Sequence, residues 1–125
     1  MKLNIIVLLL FFIVIIGWPV FLFAETCTEG NCIDGKGTLS YADGGSYEGG
    51  FSAGKFEGRG KRIYEDGKVY EGEFKNGRFE GTGILTLGNG VKYEGEFRNG
   101  RREGQGFFTT PDGLEYKGKW KNDVP

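Results

Sequence analysis

Four columns of residues recur with a period of 23 along most of this chain, and no other feature restricts its fold so tightly. Aligned on Tyr47, Tyr70, Tyr93 and Tyr116, the same sentence returns: Tyr47-Glu48-Gly49-Gly50-Phe51, Tyr70-Glu71-Gly72-Glu73-Phe74, Tyr93-Glu94-Gly95-Glu96-Phe97 and Tyr116-Lys117-Gly118-Lys119-Trp120. A second column holds Gly58 and Gly60, Gly81 and Gly83, Gly104 and Gly106, foreshadowed by Gly35 and Gly37. A third is a turn dipeptide, Asp43-Gly44, Asp66-Gly67, Asn89-Gly90 and Asp112-Gly113. The fourth is Ala53-Gly54, Asn76-Gly77 and Asn99-Gly100, with Asn122-Asp123 as a worn copy. A fixed period of this length is the mark of a repeat architecture, in which each unit is one supersecondary element.

Each column has a physical meaning. Side chains alternate across a strand, so Tyr70, Gly72 and Phe74 fall on one face while Glu71, Glu73 and Lys75 point to the other. A glycine between two rings leaves a notch for a ring of the neighbouring strand, and the Gly-x-Gly of the following strand leaves space for Tyr and Phe. Asn-Gly and Asp-Gly between β-type runs are hairpin signals, because the tight turn needs positive φ at its centre. Two turn columns per unit predict two strands per unit and an antiparallel meander. At about 4.8 Å per strand the array extends roughly 40–45 Å. The expected fold class is therefore all-β, an elongated antiparallel β-meander. Collagen is excluded because its glycines recur every third residue. Rings at fixed positions in each unit argue against a disordered glycine-rich chain.

The run Tyr-x-Gly-x-Phe followed by Asn-Gly-x-x-x-Gly-x-Gly resembles the MORN (membrane occupation and recognition nexus) repeat family. The resemblance covers about Gly35 to Lys121: a half repeat at 35–46, full repeats at 47–69, 70–92 and 93–115, and a partial repeat at 116–125. The first full repeat departs from the others at Gly50 and Ala53. The family likeness implies a β-meander used for protein–protein contact, and in some members for association with membranes or phospholipids. Residues that build a repeat carry the fold; function has to come from what decorates it.

Ahead of the array, Leu3–Ala24 is charge-free and almost wholly apolar, interrupted by Asn4, Gly17 and Pro19, with Lys2 before it. A positive start, an apolar core, a helix-weakening Gly17-Trp18-Pro19 and the small Ala24 match a secretory signal peptide. The same run is also long enough to serve as an uncleaved N-terminal anchor helix. Either way the positive-inside rule sends residues 25–125 across the membrane, so a periplasmic, secreted or membrane-anchored location is expected. Cys27 and Cys32 are the only cysteines, and in an oxidising compartment a local disulfide clipping a cap at 25–34 is the leading expectation. Reduced thiols binding metal, or a redox pair, are the alternatives.

Chemistry is sparse. There is no histidine, which removes the usual general base and the commonest metal ligand. Two thiolates alone would leave a tetrahedral metal site half empty. The segment from Gly30 to Lys36 imitates a phosphate-binding loop, but Gly37 stands where Ser or Thr is required and a strand follows in place of a helix. The formal net charge of −1 gives no case for nucleic acid. The recurring glutamates read as surface charge that keeps a flat sheet soluble. We therefore expect no enzyme, no cofactor and no metal, but an exported protein-binding or scaffold module of the cell envelope.

Two candidate partner surfaces follow. The aromatic face of Tyr47, Phe51, Tyr70, Phe74, Tyr93, Phe97, Tyr116 and Trp120 is structural in large part, and any groove it leaves would take an extended peptide. The strand from Tyr116 to Lys121 is a candidate edge for self-association or strand addition, unless Lys117, Lys119 and Lys121 blunt it. The second functional class is direct lipid binding through Lys75, Arg78, Arg98, Arg101 and Arg102. The third is an accessory subunit of an envelope enzyme.

Overall fold

The structure is a computed structural model, and it describes residues 25–125. The expected leader helix lies outside the described residues. Nine strands run in chain order: β1 (Thr26–Gly30), β2 (Gly35–Ser40), β3 (Ser46–Ser52), β4 (Lys55–Ile63), β5 (Val69–Lys75), β6 (Arg78–Thr86), β7 (Lys92–Arg98), β8 (Arg101–Thr109) and β9 (Glu115–Trp120). They form one sheet in which every strand pairs with its sequence neighbours, antiparallel throughout. The meander expected from the two turn columns is present, at two strands per repeat.

The two turn columns make different turns. Asn76 and Gly77 both have positive φ, 50° and 78°, as do Asn99 and Gly100 at 49° and 81°, which is the two-residue hairpin turn that matches strand twist. At the Asp-Gly column only the glycine is left-handed. There the acidic or amide side chain folds back instead: Asp66 Oδ1 accepts from Lys68 N–H at 2.9 Å and Asn89 Oδ1 from Val91 N–H at 3.2 Å. A longer connection closed by the side chain replaces the expected tight turn, because Asp readily hydrogen-bonds backbone two residues on.

Rings pack on one face of the sheet and cover one another. Tyr47, Phe51, Tyr70, Phe74, Tyr93, Phe97 and Trp120 are buried, and Tyr47 and Tyr70 have no exposed surface at all. Within a repeat Tyr70 stacks on Phe79, ring centroids 3.7 Å apart and 9° from parallel, and meets Phe74 edge-on at 5.0 Å. Between repeats Tyr70 meets Phe97 edge-on at 5.1 Å, so the core is a chain of face-to-face pairs within repeats joined by T-shaped contacts between them. The notch between two rings is also filled differently from expectation. The Tyr of the same strand curls over its own glycine and the opposite one: a Cβ on Gly72 or on Gly83 would lie 2.7 or 2.5 Å from the Tyr70 hydroxyl oxygen. Curling lets the hydroxyl donate to Glu73 C=O at 2.9 Å, a bond repeated from Tyr47 to Gly50 and from Tyr93 to Glu96. A neighbouring strand's ring could not reach that carbonyl while staying stacked.

The two glycines of Gly-x-Gly do separate work. Gly60, Gly83 and Gly106 leave room for the tyrosine, whereas Gly58, Gly81 and Gly104 have positive φ and sit at a β-bulge in each hairpin. Bulges bend the strand and steepen its twist, giving the sheet curvature at the same place in every unit.

Residues 25–34 hold more than a clipped cap, since β1 pairs along β2 from Thr26 to Gly30. Cys27 and Cys32 are joined, with sulfurs 2.10 Å apart. Cys32 packs against the aromatic core, and its Sγ lies 3.0 Å from where a Cβ on Gly37 would stand. Gly37 occupies the column of Gly60, Gly83 and Gly106, each covered by a tyrosine ring. The first unit has no such tyrosine, and the disulfide sulfur fills the equivalent space.

Candidate functional site: a trough on the ring-free face

The face opposite the buried rings carries shallow, open hollows and varied chemistry. One glycine from every strand lines up across the sheet, Gly30, Gly37, Gly49, Gly60, Gly72, Gly83, Gly95, Gly106 and Gly118, each paired with the next. Residues on either side of that glycine point to the ring-free face, because side chains alternate. They form two walls, and the glycine backbone between them forms the floor. Over β1–β5 the trough has a volume of about 720 Å³ and is lined by Lys36, Thr38, Glu48, Arg59, Lys61 and Glu71 above the floor glycines. Further hollows continue it past Thr82, Ile84 and Glu94, and then past Gln105, Phe107 and Lys117.

Charge in the trough is ordered by strand. On β4 the central Gly60 is flanked by Arg59 and Lys61, on β5 Gly72 by Glu71 and Glu73, and on β7 Gly95 by Glu94 and Glu96. On β9 Gly118 is flanked by Lys117 and Lys119, while β6 and β8 contribute Thr82 and Ile84, and Gln105 and Phe107. One row therefore reads Lys61, Glu71, Ile84, Glu94, Phe107, Lys117 from strand to strand. Glu94 has an ion pair, to Lys92 at 3.5 Å, with both partners about half exposed and so contributing little to stability.

The sequence-derived partner candidates fall elsewhere. Seven of the eight aromatic residues, from Tyr47 to Trp120, are buried core; Tyr116 alone is exposed, at 37%. Burial pushes the Tyr47 hydroxyl up to about 12 and raises those of Tyr70 and Tyr93, as expected of phenols held neutral among rings. Those seven rings form a single cluster. β9, the candidate edge, pairs with β8, and the residues after it fold back through a Lys121–Val124 bridge.

Four of the five lipid candidates stand together. Lys75 and Arg78 flank one Asn-Gly turn, Arg98 and Arg101 the next, and all four are exposed on the same long margin of the ribbon, with Lys55 one hairpin earlier. The opposite margin exposes Asp43, Glu65, Asp66, Asp112 and Glu115. The segregation is partial, since exposed Asp34 and Asp123 lie at the basic margin and the half-exposed Lys92 at the acidic one. Arg102 does not join the basic margin. It occupies the column of Phe56 and Phe79, lies 4.5 Å from the centroid of the Trp120 ring and pairs with Asp123 at 3.1 Å, so its guanidinium is engaged inside the array.

Two further sets of residues escaped sequence reasoning. Glu57, Glu80 and Glu103 each reach across to the next repeat and accept from the turn N–H of Asn76, Asn99 and Asn122 at 3.0 Å; Asp34 does the same for Ala53 at 2.9 Å. Their position in the Glu-Gly-x-Gly column was the available signal. Ile84 and Phe107, the apolar residues of the trough, were detectable as rings or branched chains one step out of phase with the core. No group of three side chains suited to a metal comes together among the described residues.

The MORN repeat family model matches residues 33–46, 47–69, 70–92 and 93–115, in the same phase as the columns above. None of the curated proteins compared with this chain matches it.

Proposed function

This chain belongs to the MORN repeat family, and on that premise we propose that it is a non-catalytic module whose trough holds an extended segment of a partner protein. The observation that carries this reading is the continuous hollow across the ring-free face, with ordered charge and two out-of-phase apolar residues, Ile84 and Phe107. A wall-and-floor trough suits a slim, extended chain whose side chains reach the walls. The apolar run before Ala24 and the joined Cys27 and Cys32 support a location beyond the membrane, in the cell envelope or outside it.

The test is site-specific photo-crosslinking in the native host. A photoreactive phenylalanine at Phe107 or Ile84 should trap one partner, with the cross-link mapped to a single segment of it. The same group at Leu87, exposed at the opposite turn, should not. Equal trapping from Leu87 would remove the trough as the site.

The segregated margins favour a second reading, in which the array also rests on an anionic lipid surface through Lys75, Arg78, Arg98 and Arg101. Each such cation contributes about 1 kcal/mol near the surface. Sedimentation with anionic vesicles should then fall with salt and with charge reversal at Arg78 and Arg101; absence of binding at low salt would end it.

A further inference from the structure

The trough is patterned finely enough to say which kind of chain it takes. We propose that its ligand is a polyproline-II segment with cationic side chains three residues apart and an acidic side chain three residues further on. This rests on the trough being a binding site at all.

Spacing comes first. The flanking carboxylates Glu71 and Glu73 on β5 are followed by Glu94 and Glu96 on β7, two strands away, and then by Lys117 and Lys119 on β9, two strands further. Two strands at about 4.8 Å put roughly 10 Å between successive charged pairs. No lysine or arginine forms an ion pair with Glu71, Glu73 or Glu96 among the described residues. A ligand lying across the strands has to present charge with that period along a single face.

Backbone geometry then selects the conformation. A polyproline-II helix advances about 3.1 Å per residue with three residues per turn, so every third side chain returns to one face after about 9.3 Å. An extended β-strand turns alternate side chains to opposite faces, so residues three apart point in opposite directions and residues two apart recur at about 6.8 Å. An α-helix returns after seven residues at about 10.5 Å, but its diameter with side chains is about 10–12 Å. The trough walls stand two residues apart along each strand, about 6.8 Å, which is too close to seat such a cylinder.

Charge sets the order of the ligand's side chains across the strands. The acidic strands β5 and β7 are bounded by Arg59 and Lys61 on β4 and by Lys117 and Lys119 on β9. Two ligand cations over β5 and β7 leave the third position over β9, where the lysines require a carboxylate. Ile84 and Phe107 alternate with the carboxylates and face the residues between the ligand's charges. Proline rings suit both, since apolar and aromatic side chains lining a groove are the usual seat of a polyproline-II chain.

The probe is the labelled peptide acetyl-Pro-Pro-Arg-Pro-Pro-Arg-Pro-Pro-Glu-amide, titrated against the full chain by fluorescence anisotropy. Peptides of the same composition with the arginines two or four residues apart serve as comparison. We expect the three-residue spacing to bind on the order of tenfold more tightly than either, and Glu71→Gln, Glu73→Gln, Glu94→Gln and Glu96→Gln together to abolish the difference. Equal binding at all spacings would overturn the proposal, as would no binding by any of them. A Phe107→Ser variant separates the two levels of inference. If the peptides bind equally and Phe107→Ser weakens them all, the trough survives as a site and the three-residue rule does not; if it leaves every peptide's affinity unchanged, the trough itself is lost as a site.

Discussion

Replacing Gly83 by alanine is the sharpest test of how the array is held together. A Cβ there would stand 2.5 Å from the Tyr70 hydroxyl oxygen, 2.6 Å from Cζ and 2.7 Å from Cε2. Ordinary contact distances are about 3.5–4.0 Å, so the ring must retreat by about 1 Å. Behind it the Phe79 ring is stacked at 3.7 Å, with Phe74 and Phe97 against its edges at 5.0 and 5.1 Å. Retreat also breaks the Tyr70–Glu73 hydrogen bond, which is 2.9 Å long. Overpacking of a tight core costs about 1–3 kcal/mol. A buried polar group left unpaired costs about 1–3 kcal/mol. Together they predict a loss of about 2–6 kcal/mol in urea unfolding followed by circular dichroism. Gly77→Ala is the control, because Gly77 has φ of 78° and nothing within 4 Å of its missing Cβ. Its cost is conformational only, about 1–2 kcal/mol. Moving the Gly83→Ala change into a Tyr70→Ala background should make it nearly free, a coupling that only direct contact produces. If Gly83→Ala cost no more than Gly77→Ala, ring accommodation would not be the reason for that column.

Three further outcomes follow from the same contacts. Glu80→Ala removes the acceptor for Asn99 N–H and should cost about 1 kcal/mol, with faster amide exchange at Asn99 but not at Asn76. Reduction of Cys27–Cys32 should release β1 and raise exchange along β2 while leaving β5–β8 protected, because each unit touches only its neighbours; loss of protection at β7 would refute that independence. The buried phenols carry folded-state pKa values raised above 10, chiefly by desolvation, so their stabilisation is complete below pH 10. It is lost as pH climbs through their folded values, about 12 for Tyr47, and alkaline titration should unfold the sheet across that window with no prior ionisation of Tyr47 or Tyr70.

The sequence by itself determined the architecture: a 23-residue period with two turn columns admits only a meander of two strands per unit, and alternation put Tyr and Phe on one face. It offered a Cys27–Cys32 disulfide as the leading expectation, and the structure brings the two sulfurs within bonding distance. What it left undecided depends on which atoms meet across strands. Tyr70 was legible as a ring on a face, but only the fold showed it curled over Gly72 and Gly83 and wholly buried, as part of the core. Arg102 read as a free cation beside Arg101, yet pairing with Asp123, 21 residues away, and packing on Trp120 hold it inside. The trough was hidden for the same reason. Glu71, Ile84, Glu94 and Phe107 are separated by 13, 10 and 13 positions along the chain, and only antiparallel register places them side by side. A period is a local property that sequence records directly, whereas a surface belongs to several strands at once and exists only after they pair.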